Sequence, residues 1–265
     1  MARIRADAAL VDAGLFPSRA RAHAAILAGE VKVGGEPVNK AGQQVEKGTV
    51  FEVTASQQYV SRGGHKLAAA LDTFGFDPAG MRVLDVGAST GGFTDCVLQR
   101  GALAVTALDV GYGQLAWSLR TDPRVTVLER TNIRSVEGPL PDAPFDLAVV
   151  DVSFIGLVKV LPYVREQLGD RGQIVALVKP QFEAGKGRVG KRGVVRDPEV
   201  HADVLRTVAH AAAELGWVVR GVTFSPVKGP EGNIEFLIWL AGDGEPSDFT
   251  PEAAVTAARE ALGGE

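Results

Sequence analysis

The feature that most constrains this chain is a glycine-rich stretch between an apolar run and an amphipathic segment. Residues 85–95 read DVGASTGGFTD; they follow the apolar run 81–84 and lead into a segment that continues to Arg100. This order predicts a strand, a glycine-rich turn and a helix. Glycines at such a turn let the backbone approach a ligand, and the free amides of the first helical turn can bind it. We therefore expect a nucleotide-type ligand at this turn.

The spacing of the glycines distinguishes two ligand classes. Dinucleotide-binding turns follow the pattern Gly-x-Gly-x-x-Gly, whereas here Ser89 takes the second glycine position and Asp85 stands two places before Gly87. A second apolar run, 104–108, ends in Asp109, where an acidic side chain can accept hydrogen bonds from a ribose. This pattern favours S-adenosylmethionine (SAM) over a dinucleotide. The alternative is a tight turn in an ordinary α/β domain without a ligand.

From residue 81 onward, apolar runs alternate with helical segments as in a doubly wound sheet. Strands are predicted at 81–84, 104–108, 125–128, 145–150, 173–178, 217–224 and 234–241, and helices at 114–119, 156–168, 197–215 and from 251 onward. The predicted fold class is α/β, a Rossmann-like SAM-dependent methyltransferase fold with a seven-stranded, mostly parallel sheet and an antiparallel last strand. Ligands of such sheets lie at the carboxyl ends of the strands. One rim is therefore expected to gather Gly87, Asp109, Asn132, Asp151 and Lys179.

Residues 1–55 are predicted to form a separate, small α+β unit. Its predicted helices and strands are, in order, 5–14, 18–27, 31–33, 37–38 and 49–53. The unit resembles the S4 RNA-binding domain through Ser18, Arg19, Ile26, Gly29, Val31, Val33, Gly35, Val38, Lys40, Gly48 and Val53. Arg19 and Arg21 lie near the start of the second helix, where the helix dipole and their own charge attract phosphate. The alternative is that the basic residues form only a solvated face.

Charge is distributed unevenly along the chain. The net charge is −4, but residues 1–66 carry +3 and the remainder carries −7. Since phosphate groups attract a basic surface, the amino-terminal part is the one expected to contact a nucleic acid.

Two basic, glycine-containing segments add to this expectation. Residues 62–66 (RGGHK) follow a polar linker, 56–61, and begin a helix that continues to Phe74. Their two glycines would let the backbone approach a polyanion, form a hinge between domains, or both. Residues 179–196 contain six basic residues, one acidic residue and four glycines. A long basic loop at the rim of a ligand site indicates a clamp for an anionic substrate, and a solvated loop is the alternative.

Composition excludes several other classes of protein. No apolar run reaches the roughly 20 residues of a membrane span, and no apolar signal-peptide core follows the first residues, so we expect a cytoplasmic protein. The single cysteine, Cys96, excludes an internal disulfide and leaves too few thiols for a cysteine-rich zinc site. We expect Cys96 to pack inside the protein, and we expect a monomer that requires no metal ion.

Four ionisable residues suit methyl transfer from SAM to a hydroxyl group. A ribose hydroxyl is a poor nucleophile at neutral pH, so it needs a base or a cation that stabilises the forming alkoxide, together with close alignment. Lys179 could serve as the base if burial and a neighbouring cation such as Lys66 favoured its unprotonated form. Asp151 and Glu235 could hold the ammonium groups and the ribose in place. The alternative is two salt bridges that only stabilise the rim of the sheet.

Six motifs resemble those of a known family. They are residues 62–66, 85–93, 109–117, 151–154, 178–182 and 232–235. Together they resemble, over nearly the whole chain, the haemolysin A (TlyA) family, which joins an S4 domain to an FtsJ-like methyltransferase domain. The resemblance implies 2′-O-methylation of cytidine in ribosomal RNA, of the large subunit alone or of both subunits. It also implies a Lys-Asp-Lys-Glu tetrad, which falls on Lys66, Asp151, Lys179 and Glu235. Where family members carry a tryptophan in the interdomain linker, this chain has Tyr59.

The motifs and the resemblance together predict the binding residues. For the cofactor SAM they are Asp85, Gly87, Ser89, Thr90, Gly91, Gly92, Phe93, Asp109, Val110, Asn132 and Asp151. For RNA they are Arg5, Ser18, Arg19, Arg21, Lys40, Arg62, His65, Arg130, Arg134, Lys186, Lys191 and Arg192. The implied partner is ribosomal RNA or a ribosomal subunit, and no membrane. Two alternatives differ in class: a non-catalytic ribosome-assembly factor that uses SAM as a structural ligand, and a pore-forming haemolysin that inserts into a membrane.

Overall fold

The residues that the computed structural model describes are 3–16, 18–27, 30–53, 58–185 and 187–263, without the side chains of Ala24, Lys191 and Pro230. The chain divides into two compact units, residues 1–58 and 59–265. Each unit has a hydrophobic core of its own, so each is described separately.

The amino-terminal unit is a small α+β arrangement. Its elements are β1 (Arg3–Arg5), α1 (Ala6–Asp12), α2 (Arg19–Leu27), β2 (Val31–Val33), β3 (Glu36–Pro37), β4 (Gln44–Glu46) and β5 (Glu52–Val53). β1 pairs antiparallel with β4, and β2 lies between β3 and β5. Small and branched apolar side chains from both helices and the strands fill the core.

The shortest strands of this unit differ from the prediction. The sequence predicts neither β1 nor β4, and the expected helix from residue 5 begins at Ala6 because Arg5 pairs with Gln44. The expected strand at 49–53 is confined to β5. Strands of two or three residues contain too few side chains to show the period-two alternation by which a strand is identified.

The second unit alternates strands and helices. Its elements are α3 (Arg62–Phe74), β6 (Arg82–Val86), α4 (Gly92–Gln99), β7 (Ala104–Leu108), α5 (Trp117–Arg120), β8 (Val125–Leu128), β9 (Phe145–Val150), α6 (Leu161–Arg165), β10 (Leu168–Val178), α7 (Pro180–Glu183), α8 (Pro198–Glu214), β11 (Val218–Phe224), β12 (Phe236–Ala241) and α9 (Pro251–Leu262). The strands form one seven-stranded sheet in the order β11-β12-β10-β9-β6-β7-β8. β6 to β10 are parallel, whereas β12 is antiparallel to both neighbours. The predicted fold class is confirmed.

Helices cover both faces of this sheet. Successive residues of a strand point to opposite faces: Leu84 belongs to the cluster that includes Leu205 of α8, and Val83 belongs to the cluster that includes Leu67 of α3 and Val97 of α4. The strands are therefore buried on both sides, as near-continuous apolar runs predict. Cys96 is buried on α4 without a disulfide partner.

Two predicted helices are shorter than expected. The segment 156–168 forms a 3-10 turn, Leu157–Lys159, followed by the five-residue α6. Pro162 stands in the first turn of α6 and has no backbone N–H to continue a helix from the preceding turn. The helix predicted at 114–119 is observed as α5, which begins only at Trp117. Gln114 lies in the preceding loop, where its side-chain oxygen accepts a hydrogen bond from Ser89 Oγ at 3.3 Å.

No helix among the described residues is both long enough and apolar enough to cross a bilayer. Over those same residues, no group of three or more His, Cys, Asp and Glu side chains could hold a metal ion.

Candidate active site

Close backbone contacts fix the glycine turn between β6 and α4. Gly87 has a φ of +87°, and a Cβ atom there would lie 2.5 Å from the carbonyl oxygen of Asp151. At Gly92, a Cβ atom would lie 2.2 Å from Ser61 Oγ and 2.8 Å from the amide nitrogen of Gly64. Only glycine fits these positions without displacing a neighbour. The turn therefore joins β6, the end of β9 and the start of α3 at one point.

Asp85 lies fully buried beneath this turn. Its Oδ2 accepts hydrogen bonds from the backbone N–H and the hydroxyl of Thr94, at 2.9 and 2.6 Å, and so attaches α4 to β6. Burial raises the pKa of Asp85 to about 7; the Thr94 bonds oppose this shift and the charge of Asp151 adds to it. Although Asp85 is a predicted cofactor-binding residue, it lines neither of the two cavities described below.

We expect Asp85→Asn to flatten the pH dependence of folding stability. The pKa of Asp85 is higher in the folded protein than in an unfolded chain, so the folded state binds more protons and stability falls as the pH rises from about 4 to about 7. Asparagine keeps an acceptor for Thr94 and removes this titration. Tm measured across that window should fall less steeply in Asp85→Asn than in the wild type, and parallel curves would contradict the expectation. Asp146→Asn is the control, because Asp146 is an exposed acceptor for the backbone N–H of Arg82.

A first cavity, of about 480 Å³, opens at the carboxyl ends of β6, β7 and β9. At its wall, the Asp109 carboxylate accepts hydrogen bonds from the N–H groups of Ser89 and Gly111, at 2.8 and 2.6 Å. Asn132 caps a 3-10 turn by accepting the N–H of Arg134 at 3.1 Å. The predicted cofactor-binding residues that line this cavity are Gly87, Ser89, Asp109, Val110, Asn132 and Asp151. Its volume is in the range of small-molecule and cofactor sites.

A second cavity, of about 260 Å³, adjoins the first and shares Asp151 with it. The predicted cofactor-binding residues Thr90, Gly92 and Phe93 line this second cavity. Gly91 lines neither cavity; it has a φ of +99°, and a Cβ atom there would lie 2.3 Å from the Leu119 side chain. Gly91 therefore contributes to the conformation of the turn and its packing against Leu119 without lining a cavity.

The structure brings the four predicted catalytic residues together around the second cavity. Lys66 Nζ lies 2.5 Å from Glu235 Oε2, and Lys179 Nζ lies 2.5 Å from Asp151 Oδ1. Lys66 and Lys179 are each 8% exposed and Glu235 is fully buried. Buried charges of this kind are tolerated only while each keeps its partner. Removal of one partner from either ion pair would therefore leave an uncompensated charge.

Two polar atoms in this cluster were not part of the prediction. Ser153 Oγ accepts a hydrogen bond from Lys179 Nζ, at 2.8 Å. Glu235 Oε1 is buried and has no hydrogen-bond partner among the described residues. Buried polar atoms in folded proteins are almost always satisfied, so this oxygen, which faces Gly229, lacks, within the described part of the chain, the donor that such an atom normally has.

The start of α3 places Lys66. Ser61 caps the helix by accepting the N–H of Gly63, and the N–H of Val60 donates to Asp95 Oδ2 of α4 at 2.8 Å. Tyr59, which lies in the predicted linker, is buried; its ring sits against Gly64 and edge-on to His65, 5.1 Å away. Residues 59–61 thus attach α3 to the helix that follows the glycine turn.

Phe154 is a candidate functional residue that the prediction missed. Its side chain is 92% exposed, its φ is +64°, and its ring centroid lies 5.4 Å from that of Phe182. A bulky residue in the left-handed region is rare, and such strain is concentrated at functional sites. The sequence signal is that Phe154 ends the motif 151–154, which belongs to the family resemblance.

The predicted RNA-binding residues of the amino-terminal unit fall into two groups. Arg5 and Arg19 both pair with Asp7, at 2.9 and 3.1 Å, and their hydrogen bonds hold the pKa of that carboxyl well below its usual range. The pairing neutralises part of their charge. Arg21 and Lys40 are exposed, while Ser18 accepts the N–H of Arg21 at 3.3 Å and caps α2.

In the second unit, two of the predicted RNA-binding residues line the cavities. Arg62 lines the second cavity and Arg134 lines the first, while the Arg130 guanidinium stacks on the Tyr112 ring, 4.2 Å from its centroid. His65 packs against Tyr59, and Arg192 is exposed with a φ of +64°. Lys186 and the side chain of Lys191 lie outside the described residues.

Known proteins match both units. The FtsJ-like methyltransferase family matches residues 59–241, and the S4 domain matches residues 4–51. The "16S/23S rRNA (cytidine-2'-O)-methyltransferase TlyA" of Mycobacterium tuberculosis is 51% identical over 90% of each chain. The "Putative rRNA methyltransferase YqxC" of Bacillus subtilis is 45% identical over 95% of this chain and 91% of its own. The solved structure "Putative hemolysin from Streptococcus thermophilus" is 41% identical with a TM-score of 0.75, covering 99% of this chain and 98% of its own.

Proposed function

The chain belongs to the haemolysin A (TlyA) family, in which an S4 domain precedes an FtsJ-like methyltransferase domain, and we propose that it methylates the ribose 2′-hydroxyl of a cytidine in ribosomal RNA. The observation that carries this proposal is the convergence of two lysine–carboxylate pairs on a cavity beside the glycine turn. Large-subunit RNA is the proposed substrate, with small-subunit RNA as a second one.

The first cavity fits the nucleoside part of SAM. Its wall holds the Asp109 carboxylate, whose oxygens retain acceptor capacity beyond their bonds to Ser89 and Gly111. The absence of a side chain at Gly87 keeps backbone accessible to a ligand. When bound, SAM supplies an electrophilic methyl group. The residues proposed to hold it are Gly87, Ser89, Asp109, Val110, Asn132 and Asp151 from the first cavity, and Thr90, Gly92 and Phe93 from the second.

Lys179 is proposed to act on the proton of the acceptor hydroxyl. Asp151 and Ser153 hold its Nζ from two sides, so that the nitrogen faces the second cavity in one position. In this proposal Lys179 first releases a proton to solvent, and its Nζ then takes the proton of the 2′-hydroxyl as the oxygen becomes nucleophilic. A positioned base of this kind contributes about 10²- to 10⁴-fold to a rate.

Lys66 and Glu235 are proposed to complete the acceptor site. The Lys66 ammonium group, held by Glu235 Oε2, stabilises negative charge that develops on the 2′-oxygen. Glu235 Oε1, which has no partner among the described residues, accepts a hydrogen bond from a hydroxyl of the acceptor nucleotide. The two pairs are thus proposed to have different roles: Lys179 acts on the proton of the acceptor hydroxyl, whereas Lys66 stabilises charge on the 2′-oxygen and Glu235 orients the ribose.

Phe154 is proposed to stack against the base of the target nucleotide. Enzymes that modify one nucleotide of a structured RNA move it out of its stack, and an exposed aromatic ring can replace the lost stacking. Since a base–aromatic stack contributes about 1–3 kcal/mol, Phe154→Ala should lower kcat/KM for RNA by about 5- to 150-fold. Phe154→Tyr keeps the ring and should retain most of the activity. Unchanged methylation by Phe154→Ala would remove this residue from the acceptor site.

Basic side chains on both units are proposed to bind the RNA backbone. On the amino-terminal unit, Arg21 and Lys40 are exposed without an ion pair to any described residue, and Arg5 and Arg19 add to the same basic unit. On the second unit, the proposed contacts are Arg62 and Arg134, which line the cavities, together with His65, Arg130 and Arg192. Phosphate contacts of this kind position a nucleic acid without reading its sequence.

The experiment that tests this function is transfer of labelled methyl from SAM to purified ribosomal subunits and to naked ribosomal RNA. Label in RNA is expected, and the substrate that accepts it identifies the recognised form. If SAM binds and no RNA or subunit is labelled, the proposed RNA methylation is wrong. A non-catalytic ribosome-assembly factor that uses SAM as a structural ligand would then explain the site better. Robust leakage from liposomes in a parallel assay would instead support pore formation.

A further inference from the structure

A third cavity lies on the far side of the segment that carries Glu235. It measures about 360 Å³ and shares no lining residue with the first two. Its walls come from the end of the basic loop at 194–196, the segment 228–234, the start of α8 and the end of α9. Three cationic side chains line it, Arg196, Lys228 and Arg259, against one carboxylate, Glu231. The cavity therefore carries an excess of positive charge.

None of these three cations has a carboxylate within 4.0 Å among the described residues. Two of them are positioned by backbone carbonyls instead: Arg259 Nη1 donates to the carbonyl of Arg196 at 3.2 Å, and Lys228 Nζ donates to that of Gly263 at 3.4 Å. Carbonyl oxygens orient the cations without neutralising them. Like charges gathered in a concave site favour an anion.

His201 adds a second indication that a ligand completes this cavity. It lines the cavity, is 1% exposed, and its Nε2 lies 3.1 Å from the carbonyl oxygen of Val195. Its Nδ1 is buried and has no hydrogen-bond partner among the described residues. A buried ring nitrogen without a partner is uncommon unless a water or a ligand satisfies it. A water bound with an anion could satisfy Nδ1.

The third cavity is connected to the proposed acceptor site through Asn233. Its Oδ1 accepts the N–H of Val195 at 3.0 Å, and its Nδ2 donates to the carbonyl of Gly193 at 2.9 Å. These bonds tie the basic loop to the segment in which Ile234 lines the third cavity and Glu235 lines the second. An anion bound here would therefore be held by the same segment that orients the acceptor ribose.

We propose that the third cavity binds a backbone phosphate of the substrate RNA, from a nucleotide other than the methylated one. This inference rests on the proposed function and extends it to a specific contact. Guanidinium groups match phosphate oxygens with paired hydrogen bonds, and a lysine adds a point charge. The cavity continues the basic loop 179–196, and it gives that loop a defined place to hold the RNA during methyl transfer.

The test compares the double variant Lys228→Gln/Arg259→Gln with the control Arg171→Gln in the full-length protein. Arg171 is an exposed cation toward the amino end of β10, the end opposite Lys179. The double variant should bind substrate RNA about 10-fold more weakly, and the slope of log affinity against log salt should fall by about 1 to 2. SAM affinity and kcat at saturating RNA should stay within about twofold of the wild type. Arg171→Gln should match the wild type in all four quantities.

The inference would be overturned if the double variant and the control had the same RNA affinity and the same salt slope. Methylation by the wild type would still support the proposed function in that case. Calorimetry with inorganic phosphate distinguishes the source of the anion. Phosphate binding that requires Lys228 and Arg259, without any change in RNA affinity, would show a site for a free anion and overturn the RNA assignment. If the double variant does not fold, Lys228→Gln is tested alone, because among the described residues Lys228 Nζ makes one bond, of 3.4 Å, to a carbonyl. Wild-type RNA affinity in that variant would then overturn the inference.

Discussion

Lys179→Ala is expected to reduce methyl transfer by about 10³-fold or more while SAM affinity changes only a few-fold. The reason is the position of its Nζ, which Asp151 and Ser153 hold at 2.5 and 2.8 Å beside the second cavity. The first cavity, proposed for the nucleoside part of SAM, is not lined by Lys179. Single-turnover methylation at saturating SAM and RNA, together with calorimetric SAM binding, measures the two effects separately.

Two further variants show what Lys179 contributes. Lys179→Arg keeps a positive charge, but an arginine does not lose its proton in proteins. It should be nearly as inactive as Lys179→Ala if the lysine acts as a base. Lys159→Ala removes an exposed lysine from the 3-10 turn that precedes α6 and should be neutral. Loss of SAM binding together with activity in Lys179→Ala would indicate a structural role, and retained activity in Lys179→Arg would indicate charge stabilisation rather than proton transfer.

Gly87→Ala is expected to weaken SAM binding by about 30-fold or more, equivalent to about 2 kcal/mol. An alanine Cβ would lie 2.5 Å from the carbonyl oxygen of Asp151, a backbone atom that cannot rotate away. The turn or the end of β9 must therefore move, and either movement displaces Asp151, which lines both cavities. Methylation should fall as well, because Asp151 holds Lys179.

Gly138→Ala is the matched control for this variant. Gly138 also has a positive φ, +78°, but a Cβ atom there would meet nothing within 4 Å. In both variants an alanine must adopt a left-handed conformation, which lowers the free energy of unfolding by about 1–2 kcal/mol. Only Gly87→Ala adds the backbone clash. Gly87→Ala should therefore lose more Tm than Gly138→Ala, and only Gly87→Ala should lose SAM affinity. Normal SAM affinity in a folded Gly87→Ala would remove the glycine turn from the ligand site.

Much of the second unit could be predicted from the sequence because its strands are long and apolar. Their ends locate Asp109, Asp151 and Lys179 at one rim, and the structure places these residues after β7, β9 and β10. Parallel strands buried on both faces give a strong local signal. The short strands β1 and β4 give none, since three residues are too few for a period.

The remaining features of the site depend on contacts between distant segments. Lys66 and Glu235 are 169 positions apart, and no local pattern specifies that their side chains meet; the chemistry of methyl transfer and the family resemblance suggested both residues. The exposure and left-handed conformation of Phe154 follow from the packing of its loop rather than from its residue type. The third cavity combines residues 194–201, 228–234 and 259–263, so its charge becomes visible only in the folded chain.

The most direct test of the account is the chemical position of the transferred methyl group. Ribosomal RNA incubated with SAM and the wild-type protein would be digested to nucleosides and examined by mass spectrometry, with Lys179→Ala as the parallel control. We expect 2′-O-methylcytidine in RNA treated with the wild type and none above background in RNA treated with Lys179→Ala. A methyl group on a base, or equal 2′-O-methylation by both proteins, would contradict the proposed reaction or the proposed role of Lys179.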